Sequence, residues 1–330
     1  MKANESSKVA STKTISQKGS LFHEHWWLTA ASGDQFSEVQ IEDGNKVIAR
    51  LPFIVIQSFG FTILKMPPFT HMLGPYVDCG EGKYQTLLKT RIKRTQQLVE
   101  KLPKFDYFFQ IFDPLCDTNL ALADGLAFQE CGFRIGTQYS FHIDCRNNIE
   151  TLFREMHLKS RQHVRLAEKV YRVISITDPQ LFADFYSRSL KAKGLDSNIP
   201  LDRFPHLYSE CHARGCGEVL AAVDANGAPI AMTFLVWDGR AMYYLLSARS
   251  PEIADKGSVN LLIWSAMKKA NELGLIFDLD GVSTAGTAQF LAGFGGELKT
   301  RMIVTRAGPL YATLQHFGRM VGFGNTSFYS

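Results

Sequence analysis

From residue 36 onward, apolar and polar positions alternate in short runs broken by turn residues. SEVQIEDGNKVIARLPFIVIQ alternates, breaks at Asp43-Gly44-Asn45 and resumes, which is the pattern of a β-hairpin. Pro67, Pro68, Gly74 and Pro75 then forbid regular structure across 65–80, because proline cannot donate and glycine frees the backbone. An ordered loop of that length inside a domain more often carries function than merely connects elements. Lys83 to Leu102 repeats apolar residues at Leu87, Leu88, Ile92, Leu98 and Val99 and stops at Pro103, which predicts a helix. Residues 106–112 (DYFFQIF) read as a buried strand, and 119–133 as a helix closing at Gly132. RIGTQYSFHIDC (134–145) reads as a further strand.

A second unit starts near Ile149. Glu150 to Lys169 reads as one helix with Leu152, Phe153, Met156, Val164 and Ala167 on an apolar face. Arg161, Arg165 and Lys169 recur at four-residue spacing on another stripe, either a solvated face or a basic wall for phosphate or carboxylate. After a short strand (173–176) come helices over 179–193 and 201–214. GEVLAAVD, PIAMTFLVW and AMYYLLSA, joined by Ala225-Asn226-Gly227 and Asp238-Gly239, form an antiparallel meander. A polar loop (249–257), a helix (258–273), the strand IFDLD, a helix (287–292) and a strand (297–305) complete the pattern. Strands alternating with helices give an α/β class with mixed sheets.

Composition narrows the function. The chain has 330 residues, room for about two domains. With 45% hydrophobic and 21% charged residues it is a globular chain. A net charge of +4 argues against a dedicated DNA binder, yet allows a basic cleft for an anionic substrate. The most apolar stretch, Leu51 to Leu64, is 14 residues long and holds Pro52, Gln57, Ser58 and Thr62; a membrane span needs about 20. The first twenty residues are polar and read as a flexible leader without a secretory core, so a cytoplasmic location is expected. None of the six cysteines forms C-x-x-C, so buried thiols are expected and no metal.

Four features carry candidate chemistry. Lys256-Gly257-Ser258 stands where a helix begins, and the unbonded N–H groups of a helix start, with a glycine allowing close approach, suit a phosphate. Asp278 and Asp280 lie two apart on a strand and share a face; they can accept a proton, or cap the next turn. His71 lies on the proline-rich loop and titrates where a base is useful. Tyr243 and Tyr244 are adjacent, so only one can face the core side of its strand, and Tyr244 is the candidate proton donor to a leaving thiolate. Trp26 and Trp27 read as core anchors.

The order of these elements resembles the GNAT acyltransferase fold. It is closer to the FemABX-like branch, which has two fused GNAT-type domains. The resemblance rests on PPFTHMLGP (67–75), the Gly132-Phe133 step, YSFHIDC followed by LKSRQHVRLAEK (158–169), Lys256-Gly257-Ser258, FDLDG (277–281) and AQFLAGFGG (288–296), and spans roughly 21–317. It implies a GNAT-like domain over 21–148 and a second over 149–330 that carries the donor site. It implies acyl-CoA as co-substrate, held by Ser247, Arg249, Lys256, Gly257, Ser258 and Asn260. The acceptor, a small molecule or a nucleotide-linked one, then meets Thr70, Arg161, Arg165 and Phe290, with Asp280, Asp278, His71 and Tyr244 as the reacting groups. Direct attack by an amine in a ternary complex is implied, in envelope or polysaccharide synthesis. The usual Q/R-x-x-G-x-G/A loop is absent. Members that use aminoacyl-tRNA commonly carry Phe-Lys where this chain has Phe290-Leu291, and some carry a helical arm that this chain lacks. Both departures disfavour a tRNA donor, which stands as the alternative beside a non-catalytic binding role.

Overall fold

The computed structural model describes residues 19–112, 120–195, 197, 199–253, 257–282 and 284–320. The first half of the chain forms α1 (His25–Ser32), β1 (Phe36–Asp43), β2 (Lys46–Ser58), β3 (Phe61–Lys65) and β4 (Tyr76–Val77). It continues with α2 (Tyr84–Glu100), β5 (Tyr107–Phe112), α3 (Ala121–Glu130) and β6 (Arg134–Asp144). The second half forms α4 (Ile149–Glu155), α5 (Leu158–Ala167), β7 (Arg172–Ile176), α6 (Pro179–Ala192), α7 (Phe204–Ala213), β8 (Gly217–Val223), β9 (Pro229–Trp237) and β10 (Ala241–Arg249). It ends with α8 (Ser258–Glu272), β11 (Ile276–Val282), α9 (Ala285–Ala292), β12 (Glu297–Ala307) and α10 (Pro309–Met320). The α/β class is as expected.

All the strands join one sheet in the order β1-β2-β3-β5-β12-β6-β11-β10-β9-β8-β7, with β4 beside β2. Each half contributes a strand to the other. β12 lies between β5 and β6, and β6 lies between β12 and β11. Among the described strands two pairs are parallel, β3 with β5 and β10 with β11, and each is linked through a helix, α2 or α8. Parallel neighbours need such a crossover.

The face bearing Ile111 and Tyr243 is covered by α1, α6, α7 and the loop at 69–73, packed around Phe22, Trp27, Phe182, Phe204 and Phe234. The first folded segment therefore seals the core of the second half. Trp27 is fully buried, and Trp26 lies under the Arg214 guanidinium at 4.4 Å. Of the expected leader, residues 1–18 lie outside the described residues, whereas Ser20 is buried and bonds His23 Nδ1 at 2.9 Å. Cys131, Cys145, Cys211 and Cys216 carry free thiols; Cys116 lies outside the described residues. Among the described residues no helix is long and apolar enough to cross a membrane.

The single helix expected over 150–169 is two helices. Met156 and His157 are extended, each with ψ 145°. The His157 N–H leaves the helical ladder to donate to Gly293 O at 2.9 Å, and its ring caps α5 through Lys159 N–H at 3.3 Å. A long-range partner thus replaces the local one. Lys169 falls past the end of α5, so the three basic residues do not form one helical stripe.

Candidate active site

β10 and β11 stay in register for three positions, the last being Tyr243 opposite Asp278. β10 runs on to Arg249 beside β9, and β11 to Val282 beside β6, without pairing further with each other, so a gap opens between them. An irregularity between Asp278 and Gly281 marks this point, where Asp280 takes φ 68°. A positive φ is uncommon for a residue with a Cβ, and bulges re-aim side chains next to sites.

Asp278 is fully buried and its carboxylate is saturated. Ser140 Oγ and Asp280 N–H donate to Oδ1, the latter at 2.9 Å; Arg301 Nη2 reaches Oδ2 at 2.7 Å, and His142 Nε2 lies 3.2 Å from it. Burial pushes this carboxyl up, but the Arg301 charge, with His142 and Ser140, outweighs it and holds the pKa well below the carboxylate range. Arg301 is 1% exposed and bridges to Asp280 Oδ1 through Nη1 at 2.8 Å. Burial opposes its charge, while the two carboxylates raise its pKa further.

Asp280, 30% exposed, faces outward and meets His71 Nδ1 at 2.7 Å. Burial again pushes up, and His71 and Arg301 hold it low. The Tyr186 phenol of α6 stands close; burial and the Asp280 charge push its pKa up. The result is a ladder from a buried anchor (Asp278–Arg301) to an outward dyad (Asp280–His71). With Nδ1 on the carboxylate, Nε2 is the nitrogen left to exchange a proton, the arrangement of a carboxylate-oriented base. A cavity of about 710 Å³, lined by His142, Asp144, Arg146, Glu155, Glu297 and Lys299 among others, abuts the network through His142.

Residues 154–288 match the family described as "Acetyltransferase (GNAT) domain". Among solved structures, FemX superposes with a TM-score of 0.67 at 15% identity, covering 90% of this chain and 95% of that one. The C-terminal domain of a protein named as a lysylphosphatidylglycerol synthetase from Agrobacterium fabrum gives 0.53 at 12% identity, over 90% and 91%. A tandem GNAT protein from the clavulanic acid biosynthesis pathway gives 0.51 at 11%, over 86% and 88%. No curated protein matches the sequence.

Residues 154–288 carry the match to a GNAT domain, and the chain as a whole shares the fold of FemX. Of the residues expected at a GNAT site, the structure brings together Asp278, Asp280 and His71. Tyr244 is on the opposite face, edge-on to Phe277, its hydroxyl buried near Ser247 and Thr233; the phenol beside Asp280 is Tyr186 instead. Tyr243 donates to Asp238 Oδ2 at 3.1 Å. Thr70 is buried, accepting from Trp27 Nε1 at 3.1 Å and donating to Pro68 O. Gly257 starts α8 at φ 97°, where a Cβ would come 3.0 Å from His163 O; Ser258 and Asn260 are buried in the first turn, and Lys256 lies outside the described residues. Ser247 is exposed, and the Arg249 carbonyl accepts from Ser189 Oγ at 2.9 Å. Arg165 stacks over Phe153 at 5.4 Å, Arg161 Nε is buried without a hydrogen-bond partner among the described residues, and Phe290 is 41% exposed on α9. These α5, α8 and α9 residues lie with the other core cluster, across the sheet from His71.

Arg301, His142, Ser140 and Tyr186 were not legible as site residues. In ELKTRMIVTRA a signal existed: Arg301 shares a strand face with Ile303, so one of the two must be out of place or paired. Ser140 and His142 lie within the expected strand 134–145, and Tyr186 within the expected helix 179–193, with nothing local to mark them.

Proposed function

We propose that this GNAT-fold protein is an N-acyltransferase that moves an acyl group from acyl-CoA to an amine of an amino sugar or amino acid. The His71–Asp280 pair at the mouth of the β10/β11 gap carries this reading. An amine is protonated near neutral pH and must lose a proton to attack a thioester. His71 Nε2 takes that proton while Asp280 orients the ring and stabilises its charged form. The α8 start takes the donor phosphates, since helix N-termini favour anions. The donor's acyl arm then passes through the gap to the other face, where His71 lies. Tyr186 donates to the departing thiolate, the part first given to Tyr244, and regains a proton from the nitrogen, which sheds its second N–H proton as the tetrahedral intermediate collapses. Attack is direct, in a ternary complex. The mixed charges of the 710 Å³ cavity suit a polar acceptor.

An envelope setting is supported by the likeness to FemX and to the lysylphosphatidylglycerol synthetase domain. The FemX likeness also favours a second reading, transfer of an aminoacyl group from charged tRNA. Calorimetric titration with acetyl-CoA and CoA at two salt concentrations separates the two. Micromolar binding with weak salt dependence supports acyl-CoA. No binding to either, with steeply salt-dependent binding of aminoacyl-tRNA, supports the second reading, because many phosphate contacts release counterions.

A further inference from the structure

Both halves carry a parallel strand pair three registered positions long. In the second half it is Ala241–Tyr243 with Ile276–Asp278, beyond which the strands part. In the first half it is Ile63–Lys65 with Tyr107–Phe109. There the space beyond the pair is filled by the chain itself.

Residues 66–75 lie in that space. Leu73 takes a strand-like place opposite Phe112, and its N–H donates to Ile111 O at 2.6 Å. Met66 Sδ accepts from Ile111 N–H at 3.3 Å. Gly74 has φ +86°, and a Cβ there would come 2.8 Å from the Phe112 ring, so the segment is pressed against the strand end. Gly74 is held from two sides. Its N–H donates to Gln110 Oε1 at 3.1 Å, and its carbonyl lies 3.3 Å from His23 Nε2. His23 Nδ1 accepts from the Ser20 N–H at 3.3 Å, so Nε2 is the nitrogen that donates. Gln110 is fully buried and also donates from Nε2 to Pro52 O at 2.7 Å, so it ties the segment to β2. One residue before His71, Thr70 is held by Trp27. Phe69, Met72 and Leu73 are buried around these bonds. His71 alone of this stretch points toward Asp280.

We infer that residues 66–75 close the first half's own gap and thereby hold His71 over the gap of the second, leaving one donor gap per chain, and that Gln110 is the positioning residue that fixes them. This rests on the proposed role of His71. Gln110 touches no reacting atom. It acts by denying the segment an alternative: with its Nε2 held by Pro52 O, the buried amide leaves its own Oε1 and the Gly74 N–H unpaired if the segment moves.

The test uses the full chain and Gln110→Leu, which fills a similar volume without hydrogen bonds. Histidine labelling by diethyl pyrocarbonate, read by mass spectrometry, reports on His71 without needing activity. Local opening should raise the His71 labelling rate about fivefold or more, with the exposed His157 and His163 unchanged as internal controls. An unchanged His71 rate in the folded variant overturns the positioning role. If Gln110→Leu does not fold, Gly74→Ala perturbs the same contact from the Phe112 side and is held to the same criterion. Where turnover is measured, kcat should fall about tenfold or more while donor affinity stays within about twofold, the mark of misplacement and not of lost binding. Titration with acetyl-CoA should reach one equivalent per chain, and two equivalents overturn the closure. Should acetyl-CoA not bind at all, the acyl-CoA reading fails by itself, and the labelling contrast still decides the role of Gln110.

Discussion

Asp280 stands at φ 68° with its carboxylate shared between Arg301 and His71. A side chain in that region costs of the order of 1 kcal/mol and persists only where neighbours over-determine it. Here Arg301 and His71, both held on its carboxylate, do so. His71→Gln and Asp280→Asn should each lower kcat by about 100-fold or more with donor affinity preserved, the usual size of a lost general base; steady-state kinetics beside donor titration checks this. Arg301→Met leaves Asp278 buried and uncompensated and should cost about 3–5 kcal/mol in urea unfolding. Asp278 also predicts a pH dependence. Its pKa is lower folded than unfolded, so its ionisation stabilises the fold above the unfolded value of about 3.9 and that contribution is lost as pH falls below it. Wild type should therefore lose melting temperature between about pH 5 and 3, and Asp278→Asn should lose less over the same range. Equal slopes would remove Asp278 from the account.

The elements meet at two junctions that decide how the site works. α5 is split from α4 because His157 bonds Gly293, and this sets α5 against the start of α8, where Gly257 has no room for a side chain beside His163 O. If the α8 start holds the donor phosphates, Gly257→Trp and Ser258→Asp should each weaken acetyl-CoA binding by about tenfold or more, the first by bulk and the second by placing a negative charge at the positive end of the helix. Donor affinity that survives both variants would move the phosphates elsewhere. The second junction is the loop over β5, which carries a histidine out of one half and into the mouth of the other.

For the whole molecule the exchange of β6 and β12 matters most. A division at 148/149 falls between β6 and α4, yet β6 pairs with β11 and β12 pairs with β5. Neither half keeps a complete sheet alone. Calorimetry should accordingly show one cooperative transition, whereas independently folding halves would give two.

Which parts were readable from the residues follows from the range of the forces involved. Hairpin turns, the helix over 84–100, the meander and the strand ending in Asp278-Leu279-Asp280 were legible, because periodicity, glycine and proline act within a few positions. The candidate base and its carboxylate were each visible as residue types on a loop and a strand. That His71 meets Asp280 was not, nor that the phenol near Asp280 is that of Tyr186 and not Tyr244. Those pairings depend on which strands become neighbours, and β6 and β12 alternate so similarly that nothing local tells either one to cross into the other half. The sequence by itself determined most of the elements and their order, since periodicity and turn residues act locally. The tertiary structure alone decided the shared sheet, the break at His157, the filled gap of the first half and the Asp278–Arg301–Asp280–His71 ladder, because long-range packing and the pairing of buried charge choose among partners that local pattern leaves equal.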